Sequence, residues 1–228
     1  MSIGTPRVHA RVLDSTNARC RELAQAGAPH GTLVTAAAQT AGRGRQGRTW
    51  TAPPGRALLM SVVLREWPKL LPLAAAIAVA EEVGDAAQLK WPNDVLVDGR
   101  KVAGILVEGR PQERWMVLGI GLNVALRPAD FPPELRSTAG SLARQKTDIE
   151  PTLSRMLTGL ERWTQAEAAE IVGAFGERDA LAGRPVTWAG GSGEADGIDR
   201  AGRLRVRTSA GETALDAGEV HLGPAADI

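Results

Sequence analysis

Residues 42–50, with the sequence GRGRQGRTW, form the segment of this chain that is best suited to chemistry on an anion. Three glycines let the backbone approach a ligand closely, and the guanidinium groups of Arg43, Arg45 and Arg48 suit phosphates or carboxylates. A solvated basic turn is the more common explanation of an Arg-Gly run. Here Trp50 and the apolar segments on both sides disfavour a surface tail. The segment therefore predicts a loop that closes over an anionic ligand.

The same glycines, Gly42, Gly44 and Gly47, match the dinucleotide-binding fingerprint G-x-G-x-x-G. That fingerprint must open a helix, whereas residues 51–55 read TAPPG, and paired prolines stop a helix there. We therefore predict that this segment is not a Rossmann site.

Lys90, Asn93 and Lys101 form a second group. The chain has only four lysines, and these two lie 11 residues apart on either side of Asp98-Gly99, a dipeptide that favours a tight hairpin. If the hairpin brings them together, two ammonium groups and an amide converge as they would around a triphosphate. Each lysine taken alone is more simply explained as solvated.

Two weaker signals complete the set. Residues 119–124 (GIGLNV) combine glycines at a strand end with one amide, which suits either close backbone approach to a ligand or a structural bulge. Ser15, Thr16 and Asn17 are typical helix caps, although an exposed helix N-terminus also binds anions.

The motifs of several enzyme classes are missing from the sequence. It has no P-loop, no G-x-S-x-G elbow, no H-E-x-x-H and no convincing pair of nucleophile and base. Hydrolases that use a catalytic serine, cysteine or zinc are therefore poor fits. The catalytic means that remain are substrate positioning and electrostatic stabilisation, which are the means used in phosphoryl and adenylyl transfer.

The composition disfavours several other classes of protein. The chain has 228 residues with 27 basic and 26 acidic side chains, so its net charge of +1 gives no general argument for nucleic-acid binding. One cysteine, Cys20, and three scattered histidines disfavour disulfides and metal clusters. The apolar run at residues 70–83 is too short for a membrane span, and no signal peptide precedes it. We expect a cytoplasmic protein.

Turn residues and hydrophobic periodicity predict the elements that position these groups. Predicted helices cover residues 18–26, 71–83, 152–163 and 166–179. Predicted strands cover residues 31–38, 57–64, 88–91, 95–97, 102–108, 115–120, 186–188, 204–208 and 219–222, and residues 127–141 form an irregular loop. The pattern indicates an α+β fold with a mixed, largely antiparallel sheet and flanking helices (residues 1–181), followed by a small barrel (residues 182–228).

Five segments together resemble the bacterial biotin–protein ligases in order and spacing. They are STN at residues 15–17, QTAGRGRQGRTW at 39–50, KWPND at 90–94, RKVAGILVE at 100–108 and GIGLNV at 119–124. The tail, with GIDRAGRL at 197–204 and GEV at 218–220, resembles that family's SH3-like barrel. The resemblance spans residues 14–222 and implies a class II synthetase-like fold. Because about a dozen residues precede Asp14, we expect the short form that lacks an N-terminal DNA-binding domain and a repressor function.

The resemblance implies that biotin and MgATP form biotinyl-5′-AMP, and that a lysine of a biotin carboxyl carrier protein of acetyl-CoA carboxylase or a similar carboxylase then receives the biotin. It assigns a catalytic role to Lys101, Arg45 and Arg48. Its implied biotin-binding residues are Ser15, Thr16, Asn17, Gln39, Gly42, Arg43, Gly44, Arg45, Lys101 and Gly104. Its implied nucleotide-binding residues are Arg45, Arg48, Trp50, Lys90, Asn93, Lys101 and Asn123. Mg²⁺ is expected to accompany ATP, and no residue is assigned as a metal ligand.

Three alternatives remain open at this point. One is an inactive paralogue kept as a partner protein, which the presence of every expected motif residue disfavours. A lipoate–protein ligase resembles this fold and uses the same adenylate chemistry, but its sequence pattern is not evident here. A non-enzymatic nucleic-acid-binding module would use Arg43, Arg45 and Arg48 on phosphates, and the balanced charge counts against it. We further expect no DNA or membrane partner and a monomer or weak homodimer.

Overall fold

The computed structural model describes residues 2–216 and 218–222, and its largest element is a seven-stranded sheet. The strand order is β1-β2-β3-β7-β6-β5-β4, with only the β1–β2 pair parallel. This confirms the predicted mixed, largely antiparallel sheet. The strands are β1 (Arg7–Ala10), β2 (Leu33–Ala36), β3 (Ala57–Leu64), β4 (Ala87–Lys90), β5 (Asp94–Val97), β6 (Arg100–Arg110) and β7 (Trp115–Asn123).

Four helices flank this sheet: α1 (Thr16–Gln25), α2 (Leu71–Val83), α3 (Ile149–Trp163) and α4 (Ala168–Gly176). Ser15 caps α1 through a hydrogen bond that its hydroxyl accepts from the Ala18 amide. Helix α2 is apolar except for Glu81 and Glu82 in its last turn, and its apolar residues are buried between the sheet and α3. It ends at Gly84, whose positive φ of 109° terminates the helix without steric cost.

The alternation of side chains along the strands separates two apolar layers. Val63 and Val117 point toward α1 and enclose Cys20, whereas their neighbours Val62 and Leu118 point into the core under α2. Cys20 is completely buried, and burial raises the pKa of its thiol to about 12. The functional cleft described below opens on the α1 face of the sheet.

A second, five-stranded antiparallel sheet follows the helices in the order β11-β10-β9-β8-β12, consistent with a small barrel. Its strands are β8 (Pro185–Trp188), β9 (Gly191–Ile198), β10 (Leu204–Thr208), β11 (Gly211–Leu215) and β12 (His221–Leu222). Trp91 joins it to the first sheet by donating an indole hydrogen bond of 2.9 Å to the Gly202 carbonyl. The domain boundary between residues 181 and 182 stays a prediction, and residues 223–228 of the predicted second domain lie outside the described residues.

The predicted bounds of β3, α2 and β10 match the structure, and most other elements differ by one to three residues at their ends. The predicted helix at 166–179 is shorter, because after Gly176 the chain turns and Asp179 pairs with Leu89 of β4. Strands β1, β9 and β11 were not predicted. The sequence of β9, GSGEADGI, has little intrinsic strand preference, and its pairing with β8 and β10 provides the order. In the described part of the chain, no helix is long and apolar enough to cross a membrane.

Candidate active site

A cleft of about 530 Å³ opens between the loop at residues 42–50, the ends of strands β4 to β7, the loop at residues 131–139 and the segment before β12. It collects almost every residue that the sequence singled out: Ser15, Thr16, Asn17, Gln39, Arg43, Gly44, Arg45, Arg48, Trp50, Lys90, Asn93, Lys101, Gly104 and Asn123. Gly42 is the exception: it does not line the cleft but is buried against the Trp50 carbonyl and the Gln39 side chain. The segment 42–50 contains only a single 3₁₀ turn, at Arg45–Gly47, so it does not open a helix, as predicted.

One end of the cleft is polar and uncharged, and we call its residues Ser15, Thr16, Asn17 and Gln39 the polar end. The Thr16 amide donates a 2.7 Å hydrogen bond to Gln39 Oε1, which ties the start of α1 to the segment after β2. Ser15, Thr16 and Asn17 are buried. The helix N-terminus that the sequence predicts as a cap is therefore also a wall of the cleft.

Two residues behind the polar end were missed by the sequence analysis. Ser61 Oγ lies 2.6 Å from Asn17 Oδ1 and 2.8 Å from Thr16 Oγ1, and Asn17 Nδ2 donates a 2.8 Å hydrogen bond to Glu108 Oε2. Ser61 is the one polar residue of β3 (ALLMSVVL), and this was the available signal. Glu108 belongs to the RKVAGILVE segment and had no distinguishing feature in the sequence.

Glycines form the floor of the cleft. Gly104 of β6 pairs with Gly121 of β7, and the indole of Trp50 lies against both. A Cβ at Gly121 would come within 2.6 Å of Trp50 Cε2, and one at Gly104 would meet Trp50 Cζ3 at 3.2 Å. Gly119, two residues earlier on β7, leaves similar room for Asn17. The glycines of GIGLNV therefore make room for the side chains of Asn17 and Trp50. Close backbone approach to a ligand stays a prediction.

The other end of the cleft is cationic, and we call Arg45, Arg48, Lys90 and Lys101 the cationic end. Lys101 Nζ forms a 2.6 Å ion pair with Asp94 Oδ1 and lies 5.8 Å from the Trp50 ring centroid. Lys90 is half-buried. Burial lowers the pKa of Lys90, and the nearby positive charges of Lys101 and Arg48 act in the same direction, against Asp94 and Glu219. The predicted hairpin turn at Asp98-Gly99 is present, with both φ angles positive, and Lys90 and Lys101 both line the cleft.

Both arginines of the cationic end are engaged across the cleft. Arg45 Nη1 donates a 3.0 Å hydrogen bond to Asn93 Oδ1, and Arg48 forms an ion pair with Glu219 just before β12. Partial burial opposes the ionisation of Glu219, but the Arg48 guanidinium holds the pKa of that carboxyl below its usual value. Glu219 was not predicted as a site residue, because it lies 171 positions after Arg48 in the sequence.

The loop at residues 131–142 is fastened to strands β6 and β7 by backbone hydrogen bonds. The Lys101 amide donates to the Thr138 carbonyl at 2.7 Å, and the Leu142 amide donates to the Asn123 carbonyl at 3.0 Å. Within the described residues, Asn123 Oδ1 and Trp50 Nε1 are buried without a hydrogen-bond partner. Unpaired buried polar atoms are costly, so these two are available to a ligand that fills the cleft.

This arrangement suits the joining of two anions rather than hydrolysis. Uncharged donors and acceptors line one end and four cations line the other, and Arg43 also belongs to the lining. Trp50 lies against the floor glycines and beside Lys101. Among the described residues, no three His, Cys, Asp or Glu side chains converge as a metal site. Cations placed in this way can stabilise the charge that accumulates when a carboxylate attacks a phosphate.

Comparisons with known proteins identify what the chain is similar to. Residues 9–124 match the Biotin/lipoate A/B protein ligase family. The Bifunctional ligase/repressor BirA of Bacillus subtilis is 40% identical over 176 residues, which are 70% of this chain and 54% of that protein. The chain thus spans about half the length of the first curated relatives that it matches. The Biotin--[acetyl-CoA-carboxylase] ligase of Paracoccus denitrificans is 36% identical over 237 residues, 92% of this chain and 98% of that one.

Among solved structures, the biotin protein ligase from Aquifex aeolicus in complex with biotin and ATP aligns with a TM-score of 0.84 at 27% identity. The alignment covers 96% of this chain and all of that one.

Proposed function

This chain belongs to the biotin/lipoate A/B protein ligase family, and from that membership we propose that it is an ATP-dependent biotin–protein ligase. Biotin and MgATP give biotinyl-5′-AMP and pyrophosphate, and a lysine of a biotin carboxyl carrier protein then receives the biotin and releases AMP. The observation that carries the proposal is the single cleft in which an uncharged polar end and a cationic end meet at Trp50. Relatives named for acetyl-CoA carboxylase support this kind of carrier.

In the first step, a biotin carboxylate oxygen bonds to the α-phosphorus of ATP while the bond to the bridging oxygen of pyrophosphate breaks. Both reactants are anionic, so their approach needs fixed positive charge. Lys101, whose Nζ lies 5.8 Å from the Trp50 ring centroid, and Arg45 would offset this repulsion. Lys90, Arg48 and Asn93 would hold the departing phosphates. Asn123 Oδ1 and Trp50 Nε1 would supply the nucleotide with one acceptor and one donor.

In the second step, the neutral ε-amine of the carrier lysine attacks the carbonyl carbon of the mixed anhydride. The C–O bond to AMP breaks, an amide forms, and the amine loses its proton. Because water would also cleave the anhydride, the loop at residues 42–50 is proposed to cover the intermediate until the carrier arrives.

Mg²⁺ enters this scheme as part of the substrate MgATP. Such ions are commonly held by substrate phosphates and one or two carboxylates rather than by a complete protein cage. Asp94 and Glu219 are the carboxylates at the cationic end, and they are already paired with Lys101 and Arg48. The residues present therefore fit a metal that is held mainly by ATP.

Pyrophosphate exchange into ATP tests the first step. Parallel reactions contain magnesium with biotin, with lipoate or with neither acid. We expect exchange with biotin alone. Exchange with lipoate alone would keep the fold and change the substrate, and no exchange in any reaction would contradict the ligase function. Mass spectrometry of a biotin carboxyl carrier domain, which should gain one biotin at its target lysine, tests the second step.

An Arg45→Gly variant tests the covering role of the loop. It loses the hydrogen bond to Asn93 that fastens the loop across the cleft. We expect faster release of biotinyl-5′-AMP and indiscriminate biotinylation of lysines on a bystander protein such as serum albumin. Retention of the intermediate as tight as in the unmodified enzyme would contradict this role.

The remaining expectations belong to the same proposal: a cytoplasmic enzyme without a repressor function, monomeric or weakly dimeric. Sedimentation of the enzyme with and without biotinyl-5′-AMP tests the last of these. The nucleic-acid-binding alternative is disfavoured because Arg45 and Arg48 contact partners inside the cleft. Salt-sensitive binding to random DNA would revive that alternative.

A further inference from the structure

The end of the loop at residues 131–142 continues into a short segment that joins two strands of the cleft, and we call residues 138–144 the clasp. On one side, the clasp bonds to the first residues of β6. The Lys101 amide donates a 2.7 Å hydrogen bond to the Thr138 carbonyl, and the Gly140 amide donates a 2.8 Å hydrogen bond to the Lys101 carbonyl. Both polar groups of the Lys101 backbone are therefore bonded to the clasp.

On its other side, the clasp bonds to the end of β7. The Leu142 and Arg144 amides donate to the Asn123 and Val124 carbonyls, each at 3.0 Å. Asn123 Nδ2 donates a 2.9 Å hydrogen bond to the Gly140 carbonyl. Since a carbonyl only accepts, Asn123 must turn its nitrogen toward the clasp, which leaves Oδ1 for a ligand. The clasp thus fixes the direction of the Asn123 amide as well as the backbone of Lys101.

The backbone of the clasp is not one that its own sequence favours. Ala143 has a φ of 55°, in the left-handed region where a Cβ is crowded, and no glycine is present there to relieve the crowding. A residue keeps such a conformation only when its surroundings hold it. The next residue, Arg144, provides a contact that does so.

Arg144 anchors the clasp to the last turn of α2. Its guanidinium pairs with the Glu82 carboxylate, donates 2.9 Å to the Glu82 carbonyl and donates 3.1 Å to Oγ1 of the fully buried Thr152. A cation is favoured at this end of a helix, where the carbonyls carry partial negative charge. The Glu82 side chain is only 3% exposed. Burial opposes its ionisation, but the guanidinium groups of Arg155 and Arg144 hold the pKa of the Glu82 carboxyl below its usual value.

We propose that Arg144, anchored on Glu82, is a positioning residue for the nucleotide: it holds the clasp, and the clasp holds Lys101 and Asn123 where ATP needs them. This inference rests on the proposed function and adds to it a residue outside the cleft. Arg144 does not line the cleft, so it acts through the clasp rather than on the substrate. The polar end of the cleft is bonded to α1, β3 and β6 instead, and it does not depend on this anchor.

The test compares Arg144→Gln with a matched control, Arg155→Gln. Arg155 bonds to the same Glu82 carboxylate, at 2.7 and 2.8 Å, but lies on α3 outside the clasp. Each variant removes one of the two guanidinium groups that neutralise Glu82, and only one of them releases the clasp. Pyrophosphate exchange gives kcat and the KM of ATP. Calorimetry without ATP gives the Kd of biotin, and thermal unfolding gives the stability of each variant.

We expect Arg144→Gln to raise the KM of ATP about 10-fold or more and to lower kcat, because a small displacement of positioning groups weakens binding and slows the reaction. The Kd of biotin should stay within about twofold of that of the unmodified enzyme. Arg155→Gln should lower the thermal midpoint as Arg144→Gln does, since both leave Glu82 with one cation, but its KM of ATP and kcat should stay within about twofold.

Two milder variants decide the matter if Arg144→Gln does not fold. Arg144→Lys keeps the charge and loses the forked contact, and Ser141→Ala removes a 3.2 Å hydrogen bond from the clasp to the Asn123 carbonyl. Each should raise the KM of ATP by a smaller factor, again with the Kd of biotin unchanged. An unchanged KM of ATP in both variants would overturn the proposal.

Three results with the glutamine variants would also overturn it. The first is a KM of ATP and a kcat that stay within about twofold in Arg144→Gln. The second is an equal loss of both in Arg155→Gln, which would mean that they follow stability alone. The third is a parallel loss of biotin affinity in Arg144→Gln. Failure of the proposed function is distinguishable from all of these, because the unmodified enzyme would then show no biotin-dependent exchange.

Discussion

The polar end and the cationic end of the cleft satisfy their side chains in different ways. At the polar end, Thr16, Asn17 and Gln39 bond to buried neutral groups and one carboxylate, and their partners lie on α1, β3 and β6. At the cationic end, Lys101 and Arg48 pair with Asp94 and Glu219, carboxylates that an incoming phosphate can replace. The comparison suggests that the polar end recognises a ligand by fixed geometry, whereas the cationic end exchanges one set of anions for another.

Removing the charge of Lys101 should have the largest effect on the difference between the two ends. For Lys101→Ala we expect adenylate formation to slow by about 10²–10³-fold, the loss typical of a group that stabilises transition-state charge. Biotin binding should weaken only a few-fold. Single-turnover formation of biotinyl-5′-AMP and calorimetry with biotin measure the two effects. Lys69→Ala, at an exposed ion pair with Glu167, is the control. Equal losses in both measurements would mean that Lys101 only holds substrate.

A larger side chain in the glycine floor of the cleft should weaken ligand binding at both ends. A methyl group from Gly121→Ala would meet Trp50 Cε2 at 2.6 Å and Nε1 at 2.8 Å, so the indole must shift. Overpacking of this kind costs about 1–3 kcal/mol, and we expect KM values for biotin and ATP to rise together by about 10-fold or more. Gly173→Ala, on α4 with open space around it, should leave both values unchanged. A change in the KM of biotin alone would argue against Trp50 as a shared boundary.

The pKa of Lys90 gives the cationic end a pH dependence that the polar end lacks. Since burial lowers this pKa, Lys90 loses its charge at a lower pH than an exposed lysine does. The KM of ATP should therefore rise on the alkaline side of the activity profile. In Lys90→Arg the rise should move to higher pH, because a guanidinium stays protonated there. An unchanged alkaline limb in that variant would assign the titration to another group.

Salt should produce the smallest difference between the two ends. Raising the ionic strength from about 0.1 M to about 1 M shortens the screening length from about 10 Å to about 3 Å. We expect a several-fold rise in the KM of ATP. Binding of uncharged biotin methyl ester, measured by calorimetry, should change by less than about twofold. If salt changed both quantities by the same factor, the two ends would not differ in their electrostatics.

The parts of the site that are contiguous in the sequence, or joined by a short turn, could be predicted from the sequence. The loop at residues 42–50, the Lys90–Lys101 hairpin and the floor strand β7 each show their chemistry within about a dozen residues. The bounds of α2 and β3 were equally predictable, because a long apolar run ends at a glycine or charged residue. Periodicity and turn chemistry are local signals, and these features are local.

The missing parts depend on contacts between distant segments. Ser61 reads as an ordinary strand residue until β3 is placed beside β7 and below α1. Glu219 acquires its contact with Arg48 only when the second sheet docks against the first. Strand β9 likewise has no local preference and is ordered by its neighbours. No spacing rule in the sequence encodes these pairings, so they appear only in three dimensions.

The burial of Cys20 has a practical consequence for watching the loop move. Its thiol is the only one in the sequence, is completely enclosed, and has a pKa raised to about 12, so alkylating reagents should leave it untouched near neutral pH. A cysteine introduced at Gln46, on the exposed tip of the loop, would then be the one position that a maleimide dye labels. Fluorescence from that dye would report opening and closing of the loop during each turnover, in an enzyme whose native cysteine need not be removed.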